Sequence, residues 1–418
     1  MLLADRHRGT HRAAGPGGLR RAGRLRELLV TGVLDSFGMA LGWTFIVLIG
    51  TARGGLGEAA LYNAAMLVGT VLSAPAAGWL SSRLSGRRLL RTAAAVELPM
   101  RFLVLLGVIS GLPSWLVAVL IVVMHTAAWA GYAGLRAEVT AVDASPRTMT
   151  RFVICIVGVE AAGTALAALL PVGADGTPTG WLRHAVFTVF LGTLLPVMVI
   201  ARRARIAPSA SVFAPSPARG RHARPGWRLP MPGLMLAGGG VMLVAAGPSL
   251  LAVPVTEELY GSGWVAGAAL AFCAGTLLAD KAIGWMEKLA LPAVLRWALW
   301  GLGMLAGWIL APLYAPFVLL AQFSAGLATT AFEGDMDAKV AAEATPGTLT
   351  RDLAYSASVR ALGGAIAVRA LPMMIAAPAI GLAASTSALA LGAMSLIAWA
   401  GLTTMPHLFR RATAPSRP

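Results

Sequence analysis

This sequence predicts an all-α membrane protein: twelve transmembrane helices in two pseudo-symmetric six-helix bundles. Three observations lead there. The 418 residues are 57% hydrophobic and only 12% charged, far more apolar than a soluble domain of this length requires. Twelve apolar stretches follow one another along the chain, each long enough for a hydrocarbon layer of about 30 Å. Finally, the sequence echoes itself. Ala141–Arg151 reads AVDASPRTMTR, and 200 residues later Ala341–Arg351 reads AAEATPGTLTR. Glu160 and Arg360 keep that phase, as do Gly163 and Gly363, while GWL at Gly78 is answered by GWM at Gly284.

The spans fall at 28–50, 59–81, 89–110, 113–135, 151–171, 182–201, 232–255, 263–286, 291–311, 313–333, 352–373 and 379–404. A basic tail, 1–26, precedes the first half, 27–201. Residues 202–230 then turn to Pro, Ser, Ala and Arg, with prolines at 208, 215, 217, 225 and 230, and read as a mobile linker. The second half is 231–405 and a short tail, 406–418, closes the chain. The arginine-rich start resembles a secretory leader. The apolar run from Leu28 is longer than a leader core and no small-residue cleavage site follows, so it is expected to remain as the first helix.

The net charge of +16 carries topology rather than nucleic-acid binding. Of 34 basic residues, 28 lie in the tails and alternate loops on one side; the opposite loops hold 2, Arg53 and Arg183. By the positive-inside rule both termini are cytoplasmic, in a multi-pass protein of the plasma membrane. Cys155 and Cys273 lie in apolar runs and read as small core residues rather than a disulfide or metal pair. The sequence contains no phosphate-binding loop and no Ser-His-Asp, zinc or haem spacing, so no cofactor and no metal is expected. Duplicated hydrophobic halves mark transporters, which bind cargo between the repeats.

The loop after the second span reads GWLSSRLSGRRLL from Gly78 to Leu90. Together with the six-plus-six topology, the basic central loop and the acid-Pro-Arg sets Asp143, Pro146, Arg151 and Glu343, Pro346, Arg351, it resembles the major facilitator superfamily of secondary transporters. Gly78, Leu80, Arg83, Gly86, Arg87 and Arg88 match that family's signature loop, allowing one inserted residue; Ser82 stands where the family usually has aspartate. The fifth span lacks the Gly-Pro and Gly-Gly series of antiporters. The resemblance implies a central cavity lined by spans one, four, seven and ten, with five and eleven flanking it. It also implies a gate at the cytoplasmic end: Arg83 with Asp352, and Arg136 with the acids Asp335 and Asp337.

Charges at bilayer depth are costly and must find a partner or a water-filled cavity. Asp35, Glu160 and Arg360 each lie about 13 Å along their helices, close to the midplane. They are the first site candidates: Asp35 and Glu160 for protons, Arg360 for substrate. The alternative is a buried ion pair that only fixes helix packing. His125, Trp129 and Tyr132 recur at i, i+4 and i+7 on the fourth span, a face able to stack a ligand and hand His125 a proton, or simply a packed helix face. Gln322 in the tenth span reaches a similar depth, to contact ligand or to bridge helices. Glu97 and Arg101, i and i+4 around Pro99, read as a self-neutralising pair on a peripheral helix.

These readings converge on a monomeric, proton-coupled carrier of small molecules in the lipid bilayer, with export the direction the resemblance favours and no nucleic-acid partner. Two other classes remain open: a polytopic acyl- or glycosyltransferase using Asp35, Glu160 and His125, and a non-transporting sensor. The 28-to-2 asymmetry makes a direct prediction. Reporter fusions at Pro208 and Asp175 should report opposite sides of the membrane, and the same sidedness at both would break the topology.

Overall fold

A computed structural model describes residues 16–143, 146–202, 231–289, 291–343, 349–374 and 382–412. Apolar composition makes helices the only economical choice for chains in lipid, since each helix satisfies its own backbone groups. Helix α1 covers 16–53 and α2 covers 56–83; they form one helical stretch, Pro16–Arg83, broken only at Gly54 and Gly55. Gly55 takes φ +59°, ψ −155°, which a side chain would not tolerate. Then come α3 (Gly86–Ile109), α4 (Ser114–Val142) and α5 (Pro146–Leu169).

Prolines interrupt the next two helices, because each lacks the N–H its predecessor four residues back would accept. In α6, Trp181–Gly192 gives way to Leu195–Ala201 ahead of Pro196. In α7, Pro232–Ala245, Gly247–Leu250 and Ala252–Tyr260 follow one another around Pro248 and Pro254. Helix α8 is Ser262–Lys288; α9 is Ala293–Leu305 continued by Gly307–Leu310. The last three are α10 (Ala315–Glu343), α11 (Leu349–Met374) and α12 (Leu382–Ala412). Seven helical stretches among the described residues are long and apolar enough to cross a membrane, α1 and α2 counting as one of them.

Contacts sort the connections into two ends. At the far end, Arg53 donates to the carbonyls of Val108 (2.9 Å) and Leu112 (3.1 Å), and Tyr260 donates to that of Ala311 (2.7 Å). The 170–180 loop closes over α1 there, with the left-handed Gly176 against the Leu48 carbonyl. Its Asp175 accepts from the Thr177 hydroxyl and amide, which holds that carboxyl below the usual carboxylate range. At the terminal end, Arg24 reaches the Ile200 carbonyl, and Leu28, Leu90, Val139, Phe152 and Ile200 pack together. Cys155, expected in the core, is exposed on α5: a small apolar residue facing lipid costs nothing.

The sequence echo reappears as duplicated backbone crossings. Gly69 on α2 meets α4 so closely that a Cβ would lie 2.7 Å from the Val122 carbonyl oxygen. Gly275 on α8, 206 residues on, meets the Phe323 carbonyl of α10 in the same way, and Gly326 of α10 meets Phe272 in return. Gly163 on α5 abuts the Phe37 carbonyl of α1 at 2.9 Å; Gly363 on α11 abuts that of Gly239 on α7. Small residues permit such approaches in lipid, where apolar side chains gain little by leaving their neighbours. Between the repeats, α2 packs on α11 and α5 on α8. Ala165 and Ala168 meet Val265 and Ala266 at the far end.

Gly326→Leu should therefore cost at least about 1–3 kcal/mol through overpacking against backbone. Gly284→Ala, which meets nothing within 4 Å, should leave stability unchanged. Thermal unfolding in detergent compares the two, and equal midpoints would refute the crossing.

Candidate functional site

Arg101 on α3 is the most enclosed charge among the described residues, with 0% of its side chain exposed. Its Nη2 donates to Asp35 Oδ1 of α1 at 2.6 Å, and its Nε donates to Glu97 Oε1 at 2.9 Å. Nη1 donates to the Phe190 carbonyl of α6 at 2.7 Å, where the coming helix break frees acceptors, and reaches Thr193 Oγ1 at 3.5 Å. The guanidinium also stands 5.2 Å from the centre of the Phe190 ring. One cation thus ties three helices. Two carboxylates share it, so with both ionised the triad carries one negative charge more than its single cation can balance.

Asp35 is the member that reaches solvent, 28% exposed against 3% for Glu97. Both line a small cavity with Ser36, Gly131 and Tyr132, of about 20 Å³, room for a single water. Glu160 of α5 stands beside Ser36 and within electrostatic reach of Asp35, and is open to solvent although protein surrounds it. His125 is buried with its ring edge-on to Trp43 at 4.8 Å, and its Nε2 has no partner among the described residues. Trp129 and Tyr132 form their own T-shaped pair at 5.5 Å, and Trp129 is exposed. The expected single face of α4 is therefore divided: His125 turns into the α1–α2 packing, where Gly69 meets it, while the other two stay together.

Arg360 lies elsewhere. Its Nη1 donates to Asp337 Oδ1 of α10 at 2.7 Å and to Ser356 Oγ at 2.9 Å; its Nε is 4.0 Å from Glu333 Oε1. Shared depth does not make Arg360 a partner of Asp35, because acids of the adjacent helix take it first. Both acids are half exposed, while Arg360 is buried. Asp335 chelates Arg296 of α9 at 2.5 and 2.8 Å. Of the gate residues, then, Asp335 and Asp337 engage cations of their own repeat. Arg83 lies over the Trp79 ring at 4.3 Å and Arg136 over Tyr132 at 5.9 Å. Asp352 is buried at the start of α11, and Gln322 is buried with Oε1 unpartnered among the described residues.

The repeats align α4 with α10, both 29 residues, at an offset of 201. Tyr132 and Arg136 then correspond to Glu333 and Asp337, and Glu160 corresponds to Arg360. At these matched positions the charges are exchanged: Arg136 on α4 and Glu160 on α5 against Asp337 on α10 and Arg360 on α11. Sequence reasoning missed Arg101 as a site residue because the i, i+4 spacing satisfied it locally. The available signal was its burial depth, between two other helices each carrying polar groups. Among the described residues no group of three or more His, Cys, Asp or Glu is placed to hold a metal ion.

Comparison with solved structures identifies this architecture. A nucleoside transporter, NupG, superposes with a TM-score of 0.65 at 11% identity, over 90% of this chain and 97% of that one. The chain has the major facilitator fold. A bacterial homologue of the iron transporter ferroportin in its inward-facing state gives 0.60 at 16% identity, over 91% and 99%. The xylose transporter XylE from E. coli, inward open, gives 0.60 at 12% identity, over 88% and 95%. No protein-family model and no curated sequence matches the chain.

The triad makes a stability prediction. Arg101→Ala leaves two carboxylates uncompensated and should destabilise by about 3–5 kcal/mol. Adding Asp35→Asn and Glu97→Gln should restore much of that loss. Chemical unfolding in detergent is the measurement; an Arg101→Ala protein as stable as the parent would sink the triad as a structural tie.

Proposed function

We propose that this protein is a proton-coupled secondary transporter of small molecules, not an enzyme, working by alternating access. In this reading all twelve helices cross the plasma membrane in two six-helix bundles with cytoplasmic termini. The observation that carries the proposal is the surplus charge of the Asp35–Arg101–Glu97 triad beside a water-sized cavity. An uncompensated carboxylate at bilayer depth is costly, so it favours acquiring a proton or a cationic group. A proton and a cargo that satisfy the same charge exclude one another, which is the requirement for exchange. Glu160, beside Asp35, is the second proton acceptor, and His125 the third.

The charges also bear on the cargo. Asp35 and Glu97 face Arg101, with Glu160 beside Asp35, and Glu333 and Asp337 face Arg360. Each of these two clusters holds more acid than base, and both guanidiniums are already paired. That supports a cationic or neutral hydrogen-bonding cargo over an anion, with Trp129, Tyr132 and Gln322 offering ring faces and an amide. Arg360 in this reading holds its acids in place rather than capturing an anion. The transporter folds of NupG and XylE support the class, and their cargoes differ from one another.

In this reading the arrangement is inward-facing, since Ala165 and Ala168 meet Val265 and Ala266 between the repeats at the far end. Closing the cytoplasmic end would bring Arg83 and Arg136 to Asp352, Asp335 and Asp337, two of which must then exchange a partner they hold within their own repeat.

Proteoliposomes with an imposed pH gradient test the proposal. Asp35→Asn or Glu160→Gln should abolish gradient-driven accumulation of an organic cation while exchange without a gradient persists. If both variants keep full accumulation, these carboxylates are structural and the coupling reading fails.

A further inference from the structure

An apolar groove lies away from the charged site, between the start of α1 and the second segment of α6. It encloses about 750 Å³ and its walls are Val30, Leu195 and Val199, all strongly exposed, above a floor at Thr31. The break in α6 at residues 193–194 is what separates this segment from the first, and Pro196 lines the groove. At the terminal end the groove meets basic residues. Arg24 is occupied by Glu27 at 2.9 Å and by the Ile200 carbonyl. Arg26, which lines the groove, and Arg202, which follows its last wall, are exposed and have no partner among the described residues. Glu27, which also lines the groove, is held by Arg24, so among the described residues Arg26 and Arg202 are the positive charges left at the mouth.

A second groove, between α7 and α12, is also open and apolar, about 400 Å³ lined by Leu236, Val244, Ser395 and Trp399, with no charge among its described lining residues.

We propose that the α1–α6 groove binds an anionic phospholipid of the surrounding leaflet, an acyl chain lying along Val30, Leu195 and Val199 and the phosphate held by Arg26 and Arg202. The trough runs from residue 23 to residue 31 of α1, about 12 Å at 1.5 Å per residue, so it takes the upper part of a chain and places the headgroup at the membrane surface. A guanidinium offers a phosphate two parallel donors, and basic pockets between helices near that surface select anionic headgroups. Thr31 is one helical turn from Asp35, so the lipid would touch the helix that carries the triad.

The test uses the full-length protein in mild detergent with phosphatidylglycerol or phosphatidylcholine of identical acyl chains, retained lipid being read by native mass spectrometry. A photoreactive acyl chain maps the contact, and glycerol 3-phosphate serves as the headgroup alone. Phosphatidylglycerol should be retained over phosphatidylcholine and should label α1 and the second segment of α6 rather than α7 and α12. Arg26→Ala and Arg202→Ala should each lower phosphatidylglycerol retention by about fivefold and leave phosphatidylcholine unchanged. Val199→Trp, which fills the trough, should reduce labelling by both lipids, and glycerol 3-phosphate should not compete. Equal retention of the two lipids, even labelling of both grooves, or unaltered retention in the double arginine variant would each overturn the site and leave only headgroup-indifferent annular lipid. None of these readouts involves transport, so their failure is separate from failure of the transport proposal.

Discussion

A guanidinium buried among apolar helices must have its donors met by the protein, because neither lipid nor bulk water can meet them. Arg101 meets that demand with a carboxylate from α1, another from its own helix and a carbonyl exposed where α6 breaks. The position of α1 relative to α3 and α6 is therefore fixed by charge as well as by packing. The strength of that tie is also its vulnerability, since two acids share one base. A structure that needs Arg101 for cohesion leaves a carboxylate whose partner is incomplete, and the place where the fold is least satisfied is where small cations have most to gain.

The rest of the scaffold relies on backbone proximity rather than on charge. Four glycines at repeat-related positions bring helices close enough for carbonyls to sit where side chains would be. Threonines accompany the crossings: Thr126 donates toward the Gly69 carbonyl at 3.3 Å and Thr276 toward that of Gly326 at 3.5 Å. Such contacts depend on shape and tolerate sliding poorly. Interfaces between the repeats combine small apolar residues, as at Ala165, Ala168, Val265 and Ala266, with a polar contact, Ser358 donating to the Val71 carbonyl at 3.4 Å.

Much of this was legible in the sequence. The apolar stretches and the echo located the helices, and Gly163 with Gly363 pointed to repeated contacts whose partners, Phe37 and Gly239, only the structure supplies. The depth of Asp35 marked it as costly, but periodicity along one helix says nothing about which neighbour answers it. Glu97 lies one turn from Arg101 and hid that arginine's other bonds. Arg360 failed in the opposite way: its depth matched Asp35, and the acids that hold it, Glu333 and Asp337, were read as belonging to the membrane surface. The helix breaks at Pro196, Pro248 and Pro254 follow from missing donors, yet the hydropathy of these stretches is continuous and conceals them.

The exchange of charges between the repeats has a further consequence. A duplicated gene that kept both copies alike would yield two interchangeable walls, and a molecule between them would feel no preference for facing either one. Here one wall offers Arg136 ahead of Glu160, and the other Asp337 ahead of Arg360. The two copies are therefore not interchangeable in charge: what the first repeat places as a base the second places as an acid, and the converse one helix on.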